Sequence, residues 1–356
     1  MEQNNQNIYF YSHQVYQFAH SKSIYDLSGG TFIVNKFNRK LRFKFYLRNY
    51  INPLAPSLAK APPVIIRDIK SPLDLEGVII SGTNTVINNN KEISSSIFMG
   101  HGAGDKKYGG SVHNLETYDY HFISGLKHLH KIKDVGIKLP ESKLVKIGYP
   151  RFDDYVNKSI NKEAYLNFLG VKDKTRKNIL YAPTWQWGNG TLHKFAKKFS
   201  IELGKDHNLI IRPHYHDRKY IPWLKFWIKS NNIKNVYLSN PAKILQNNSM
   251  NDFAISDLMI SDTSSIIYEY LITGNPIIIV DNNYKDLHEM PTELNILDIV
   301  QKYNGEDGAD IGRIVDQDLS DETLRDKYLT LLNNCFYFND GKSSERAADF
   351  IKSSKF

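Results

Sequence analysis

The segment Leu258-Met259-Ile260-Ser261-Asp262-Thr263-Ser264-Ser265-Ile266-Ile267-Tyr268-Glu269-Tyr270, continued by Gly274-Asn275-Pro276-Ile277-Ile278-Ile279-Val280-Asp281, sets the architecture of this 356-residue chain. A short apolar run passes through a polar turn into a helical pattern, a Gly-Asn-Pro stop and a second apolar run. That order reads as a βαβ unit with hydroxyl and carboxylate side chains packed into its first turn. A helix start exposes unpaired backbone N–H groups and the positive end of the helix dipole, so it is a natural seat for a phosphate. Thr263, Ser264 and Ser265 would add hydroxyls to that seat. The same residues also suit a simple cap, in which Asp262 or Thr263 fastens the helix. The turn by itself does not separate the two readings.

Outward from this unit the pattern repeats. Apolar runs at Asn178–Tyr181, Asn208–Ile211 and Asn235–Leu238 precede it, separated by helical spacers. An earlier series runs through Val64–Ile66, Val78–Ile80, Ile97–Met99, His121–Ile123 and Leu144–Ile147. Between the series, residues 152–177 are charged and helix-prone and end in a linker-like Lys172–Lys177 run. Strands alternating with helices predict parallel sheets covered on both faces. Two successive α/β domains fit the break near Arg151 better than one (β/α)₈ barrel, which needs even strand spacing. Residues from Ile8 to about Pro63 are harder to parse, apart from a strand at Thr31–Val34 and a proline-rich connector from Asn52 to Pro63.

Composition narrows the classes. No run of about 18 or more apolar residues predicts a spanning helix, and the Asn/Gln-rich start lacks the order of a secretory signal. The single cysteine, Cys335, leaves no internal disulfide and disfavours a structural zinc site. The expected compartment is the cytoplasm. A formal charge of +8 points to anionic partners: nucleic acid, phospholipid heads and phosphate-bearing substrates all fit. Lys36, Arg39, Lys40, Arg42, Lys44 and Arg48 are interleaved with Phe37, Leu41, Phe43, Phe45, Tyr46 and Leu47. This patch reads either as a solvated basic face over packed structure or as a surface that holds the protein against an anionic membrane. No RNA-binding signature accompanies it, and nucleic acid is not expected as a partner.

Polar residues follow several of the strands, where they would gather at the carboxyl edge of an open parallel sheet. Gly100-His101-Gly102-Ala103-Gly104-Asp105-Lys106 places a histidine and a lysine in a glycine-rich turn, without the spacing of a dinucleotide or P-loop fingerprint. Ala182-Pro183-Thr184-Trp185 and Arg212-Pro213-His214 follow two later strands. Gly148-Tyr149-Pro150-Arg151-Phe152-Asp153 closes the first series. Two histidines, several cations and a hydroxyl-rich turn on one edge suggest chemistry on a phosphate. Nothing supports a serine-hydrolase elbow, a cysteine nucleophile or a metalloprotease helix.

In order and spacing these motifs resemble the CDP-glycerol glycerophosphotransferase family, which includes teichoic acid primases, polymerases and related capsule enzymes. The family pattern is His-Gly-Thr-Pro-x-Lys, Gly-x-Pro-Arg-x-Asp, Tyr-Ala-Pro-Thr-Trp, a Lys/Arg-x-His turn, Asp-Tyr-Ser-Ser with an acidic residue one turn on, and Asp-Gly-x-x-x-Glu-Arg. Here it runs through His101-Gly102…Lys106, Gly148…Pro150-Arg151…Asp153, Tyr181–Trp185, Arg212-Pro213-His214, Asp262-Thr263-Ser264-Ser265…Glu269 and Asp340-Gly341…Glu345-Arg346. The match covers about residues 95 to 350. Departures are Gly100 for Trp, Ala103-Gly104 for Thr-Pro, Thr263 for Tyr and Gln186 for Arg, the first two beside the acceptor position.

The resemblance implies an α/β, GT-B-like fold of two Rossmann-like domains facing a central cleft. The expected division is residues 1–165 on the acceptor side, 166–342 holding the nucleotide donor, and a helix over 343–356 returning to the first domain. It implies transfer of glycerol phosphate, or a related polyol phosphate, from a CDP-activated donor to a hydroxyl of a lipid-linked, glycan or polysaccharide acceptor, releasing CMP. His101 would be the general base, and His214 with Arg212 would stabilise charge on phosphoryl oxygens or departing CMP. Ser264 and Ser265 would hold donor phosphates, with Asp262 and Thr263 in the same turn. Lys106 would contact a phosphate and Glu269 the ribose, while Arg151 and Thr184 are carried over as further substrate-binding positions. No metal site or cofactor is expected, the CDP-activated donor being a substrate. The rival readings are a GT-B glycosyltransferase using a nucleotide sugar, a nucleotide-sugar 2-epimerase that needs no acceptor, and a basic non-catalytic membrane or RNA adaptor. Attachment to the inner face of the cell membrane would be peripheral, through the 36–48 patch.

Overall fold

The structure, a computed structural model, describes residues 7–54, 61–305 and 310–354. Part of the proline-rich connector, residues 55–60, lies outside the described residues. The chain divides into two compact units, the first formed by residues 1–102, 107–157 and 335–356, the second by 103–106 and 158–334.

The first unit is built on a seven-stranded sheet, every adjacent pair parallel. Its strands are β1 (Ile8–Tyr11), β2 (Thr31–Val34), β3 (Val64–Ile66), β4 (Gly77–Ser81), β5 (Ser94–Phe98), β6 (Tyr120–Ile123) and β7 (Leu144–Lys146), in the order β3-β2-β1-β4-β5-β6-β7. Helices α1 (Phe18–Ser28), α2 (Phe37–Tyr46), α3 (Leu126–Asp134) and α4 (Asp153–Val156) belong to it, as does the C-terminal helix Ser343–Ser353, which packs on α1. The patch at 36–48 is thus mostly the helix α2. β1, which the sequence did not announce, lies centrally: four residues preceded by a polar terminus give little periodicity to read, but both its neighbours lie on the same buried sheet. Tyr11, Ile33, Ile79, Phe98 and Ile123 from five of the strands meet in one core.

Two family motifs serve this unit's construction. The Asp153 carboxylate accepts the backbone N–H groups of Ser343 (3.1 Å) and Ser344 (2.7 Å), capping the C-terminal helix across 190 residues of sequence. Arg346 pairs with Asp340. Gly341, at φ 76°, packs so that an added Cβ would lie 2.4 Å from Asn157 Oδ1, a position only glycine takes without displacement.

The second unit carries a six-stranded parallel sheet, β8 (Asn178–Tyr181), β9 (Asn208–Ile211), β10 (Val236–Leu238), β11 (Leu258–Ser261), β12 (Ile277–Val280) and β13 (Gln301–Tyr303), ordered β10-β9-β8-β11-β12-β13. Its helices are α5 (Lys162–Leu169), α6 (Leu192–Leu203), α7 (Ile221–Ser230), α8 (Ser249–Ile255), α9 (Ile266–Tyr270), α10 (Ile311–Ser320) and α11 (Thr323–Cys335). β8, β9, β11 and β12 are buried at every position, as strands covered on both faces must be. β13, Gln-Lys-Tyr at the sheet edge, has only Tyr303 buried, so its sequence carries no strand signal.

In both sheets the strand order reverses beside the first strand, between β1 and β4 and between β8 and β11. In open parallel sheets ligands bind outside the carboxyl ends of the strands at such a reversal. His13 and Gly82 follow β1 and β4; Thr184 and Asp262 follow β8 and β11.

Candidate functional site

In the second unit Asp262 is fully buried and its carboxylate is spent within the protein. One oxygen accepts the Thr184 N–H (2.7 Å), the other the N–H and hydroxyl of Thr191 (3.0 Å each). It thereby ties the loop after β8 to the turn after β11 and does not cap α9, whose N-cap residue, Ser265, makes no side-chain cap bond either. Burial pushes the Asp262 carboxyl up to about 6, opposed by the Thr184 and Thr191 hydrogen bonds and by Lys106. Thr263 accepts from Asn282 Nδ2 (3.0 Å) and donates to the Gly188 carbonyl (3.4 Å), so the residue that departs from the family's tyrosine links three loops.

Lys106 enters this cluster from the short segment 103–106. Its Nζ donates to Thr184 Oγ1 (3.1 Å) and lies over the Tyr284 ring at 4.7 Å. Gly188 makes room for it, since a Cβ there would sit 2.5 Å from Nζ. Burial lowers the Lys106 pKa and Asp262 opposes that shift. Gly104 explains why the segment is glycine-rich: an added Cβ would lie 2.6 Å from Ser265 Cα. Ser264, buried, and Ser265, half-buried, therefore lie in the same unit as the lysine, beside the loop that carries it.

His214 sits near the same loops, its ring 6.3 Å from that of Trp185 and 5.3 Å from that of His216. Its Nδ1 accepts the His216 N–H (3.2 Å), which puts the ring proton on Nε2. Burial, then His216, Lys106 and Arg212, take its pKa down to about 3, so at neutral pH it acts as an uncharged N–H donor. Arg212 is committed elsewhere. Its Nη1 donates to Asp252 (2.7 Å), the Asn247 carbonyl (2.9 Å) and Ser239 Oγ (3.1 Å), a buried network that also takes in Tyr165. Glu269 is fully buried on α9. A polar cavity of ≈ 390 Å³, lined by Asn189, Thr191, Lys194, Asp281, Asn282 and Asn304 among others, adjoins the turn through the shared Thr191 and Asn282.

In the first unit His101 follows β5 and is exposed. Its Nδ1 makes a short hydrogen bond with the Gly82 carbonyl. Only an N–H pairs with a carbonyl oxygen, so Nδ1 carries the proton and Nε2 presents its lone pair. The ring is hemmed in by dense protein although solvent reaches it. Lost solvation lowers its pKa from 6.5, the Gly82 bond opposes this and Lys131 reinforces it, leaving a neutral base. The His20 ring stands 6.1 Å from it, edge on. Arg151, nearly buried in the short turn Pro150–Phe152, acts on His20.

The structure thus gathers Lys106, Thr184, Asp262, Thr263, Ser264, Ser265 and His214 in the second unit, and His101 with Arg151 in the first. Sequence reasoning missed Thr191, Gly188, Tyr284 and Asn282, which build the cluster from loops carrying no distinctive spacing. Among the described residues no helix is long and apolar enough to cross a membrane.

A family model described as CDP-glycerol:poly(glycerophosphate) glycerophosphotransferase matches residues 91–353. The teichoic acid poly(glycerol phosphate) polymerase of Staphylococcus epidermidis is 30% identical over 178 residues, 46% of this chain and 23% of that protein. The teichoic acid ribitol-phosphate primase of Bacillus spizizenii is 25% identical over 264 residues, 67% of this chain and 60% of that protein. The chain therefore spans from about a quarter to three fifths of the length of these relatives. A solved variant of the wall teichoic acid polymerase TagF superposes with a TM-score of 0.68 at 19% identity, covering 98% of this chain and 88% of that one, a likeness in fold. With its paired parallel-sheet units the fold is GT-B-like, and by the family match over residues 91–353 the chain belongs to the CDP-glycerol:poly(glycerophosphate) glycerophosphotransferase family.

Proposed function

We propose that the protein transfers a polyol phosphate, glycerol phosphate first among them, from a CDP-activated donor to a hydroxyl of a cell-surface polymer or its lipid-linked precursor. The observation that carries this reading is the Lys106–Thr184–Asp262 cluster beside Ser264 and Ser265: one half-buried cation and two hydroxyls where a donor's phosphates would sit. Membership of the family supports the choice of donor. Asp262, Thr263 and Thr184 build the seat and do not themselves have oxygen atoms to spare for it, apart from the Thr184 hydroxyl. Asparagine carboxamides around the adjoining cavity suit polyol hydroxyls, since each offers both donor and acceptor.

In the transfer step an acceptor hydroxyl oxygen attacks the phosphorus that bears the polyol. The bond from that phosphorus to the bridging oxygen breaks, and CMP leaves with the electron pair. The hydroxyl proton passes to His101 Nε2, which the Gly82 carbonyl holds ready in the basic tautomer. The Lys106 ammonium and the His214 Nε2–H are suited to the charge that gathers on phosphoryl and leaving oxygens. Arg212 supports this edge by holding the end of β9, and Glu269 is the position carried over for the ribose.

The test is incubation with CDP-glycerol, CDP-ribitol and UDP-sugars plus a lipid-linked acceptor, scoring the nucleotide released. CMP from a CDP-polyol is expected; a nucleoside diphosphate from a UDP-sugar would overturn the reading in favour of glycosyl transfer. For the setting, the face of α2 supports a peripheral seat on an anionic bilayer, on the cytoplasmic side of the cell membrane. Phe37, Leu41 and Phe45 recur at helical spacing and are 64, 50 and 59% exposed, with Lys44 and Arg48 exposed beside them. Flotation with vesicles containing anionic lipid should carry the protein, and the Phe37→Ser, Phe45→Ser variant should remain behind.

A further inference from the structure

Lys106 reaches Thr184 from a segment that glycine leaves free to bend, and the residue next to it supplies a hold. The hydroxyl of Tyr268, a fully buried residue of α9, donates to Asp105 Oδ2 (2.9 Å) and accepts the Ile296 N–H (3.2 Å). The Asp105 carbonyl accepts the His288 N–H (2.7 Å), and Lys106 forms an isolated antiparallel bridge with Leu287. Leu287 and His288 lie on the same loop after β12 as Tyr284, whose ring stands 4.7 Å from the lysine ammonium. Gly104 meets Ser265 too closely for any side chain to fit between them. Segment 103–106 is thus fastened through its backbone to the loop after β12 and through one side chain to α9.

The side-chain hold answers a weakness in the local sequence. Glycine loses more conformational freedom on ordering than any other residue. Ala103-Gly104 stands where the family pattern has Thr-Pro, so this chain lacks the ring that would restrain the backbone there. The lysine adds a flexible four-carbon stem of its own. Against this, Asp105 is buried, and a buried carboxyl is costly unless hydrogen bonds offset it. The donor it meets in Tyr268 is itself held by Ile296, so the bond has a fixed direction. Asp105 occupies the variable position of the His-Gly-Thr-Pro-x-Lys pattern and Tyr268 is no position of the pattern at all, so neither residue announces itself in the sequence.

We propose that Asp105 and Tyr268 are positioning residues for the donor phosphate: their hydrogen bond fixes segment 103–106 on α9 and so aims Lys106 Nζ at the place beside Thr184 Oγ1 where a phosphate oxygen is taken. Neither residue touches the donor. Ser264 and Ser265 directly precede α9, so the ammonium and the serine hydroxyls are referred to the same helix. A lysine aimed in advance has less side-chain freedom to lose when the donor binds, and affinity is gained there. The inference rests on the reading of Lys106 as part of the donor seat. A purely stabilising pair would lower the unfolding midpoint without any effect routed through the lysine.

The experiment is a double-mutant cycle in the full chain, read by calorimetric titration with CDP-glycerol. Tyr268→Phe should weaken binding about three- to tenfold, as expected for the loss of one hydrogen bond. Asp105→Ala should do the same, and Asp105→Asn, which keeps an oxygen for the phenol, should recover most of the affinity. In the Lys106→Met background Tyr268→Phe should change affinity by less than about twofold, because it acts only through the lysine. In turnover the KM for CDP-glycerol should rise and that for the acceptor should stay unchanged. The full effect persisting in the Lys106→Met background, or undiminished affinity in Tyr268→Phe, overturns the proposal. Urea melts establish that each variant is folded, and Asp105→Ala takes the place of Tyr268→Phe in the cycle should the latter fail to fold. A second arm needs no donor: acetylation of Lys106 by an N-hydroxysuccinimide ester, followed by peptide mass spectrometry, should run several-fold faster in Tyr268→Phe and Asp105→Ala than in the unsubstituted protein. Equal rates overturn the hold. Failure of the unsubstituted protein to bind CDP-glycerol would instead overturn the transfer reading, and the acetylation rates would then decide on the hold.

Discussion

The two carboxyl edges are built from the same topology and put to opposite physical use. At the second, the loops after β8 and β11 are bound to each other through Asp262, whose burial is offset by donors on both oxygens. At the first, the loops after β1 and β5 present His13 and His101, whose tautomers are fixed by one hydrogen bond each, from Arg39 and to the Gly82 carbonyl. A buried carboxylate must be satisfied internally or it destabilises the fold; an exposed imidazole carries no such demand. The difference teaches that Asp262 and Thr263, conspicuous in the second unit's motif, are largely framework, whereas His101 in the first is exposed and held through one ring nitrogen.

The largest effect expected of this contrast is on turnover. His101→Gln should lower kcat by about 10²–10⁴-fold, the usual worth of a general base, while the urea midpoint and the affinity for CDP-glycerol stay as they were. A matching loss of stability would show His101 to be framework too, and erase the contrast.

Next comes stability at the second edge. Thr191→Val removes the hydroxyl that Asp262 and Tyr181 share. It should cost about 1.5–3 kcal/mol where Asp262 is ionised and about 0.5–1.5 kcal/mol where it is protonated, the difference between charged and neutral hydrogen bonds. Because burial raises the Asp262 carboxyl to about 6 from its usual value of 3.8, this group's contribution to stability grows as pH falls through about 6. Urea unfolding at pH 8 and pH 5 measures both figures, and an equal cost at the two values would reassign the titration to another group.

Lys106→Met should weaken binding of CDP-glycerol about tenfold, a lost charged hydrogen bond, and leave kcat within a few-fold. Unchanged affinity would remove the lysine from the phosphate seat and leave it a structural partner of Thr184. The smallest effect is on pH dependence. Since the His101 pKa is lowered from 6.5, activity should be lost only as pH falls through a midpoint below 6.5. Lys131→Met removes one of the causes and should raise that midpoint in the profile of kcat/KM; a downward shift would contradict the assigned electrostatics.

Most strands were legible because a sheet covered on both faces forces continuous apolar runs, as at β11 and β12. β1 escaped because it is short and flanked by polar sequence, β13 because two of its three residues, Gln301 and Lys302, are polar and exposed, so their strand character comes from neighbours in the sheet. Of the candidate residues, His101, Lys106 and Ser264 could be picked out as candidates from their position after a strand. The role of Asp262 could not, because its partners Thr184 and Thr191 stand 78 and 71 residues away. Arg212 illustrates the reverse: its place at a strand end is visible in sequence, but its engagement with Asp252 across 40 residues is not.

The sequence by itself determined the alternation of strands and helices, the family and the inventory of reactive side chains, since these follow from local apolar periodicity and motif order. Only the tertiary structure decided which of those side chains are spent on one another. Hydrogen bonds between residues far apart in the chain depend on how loops meet at a sheet edge, and the same folding fixed the proton of His101 on Nδ1 and that of His13 on Nε2. Neither assignment is encoded in local spacing, because each depends on one partner, a carbonyl or a guanidinium, delivered by another strand or helix.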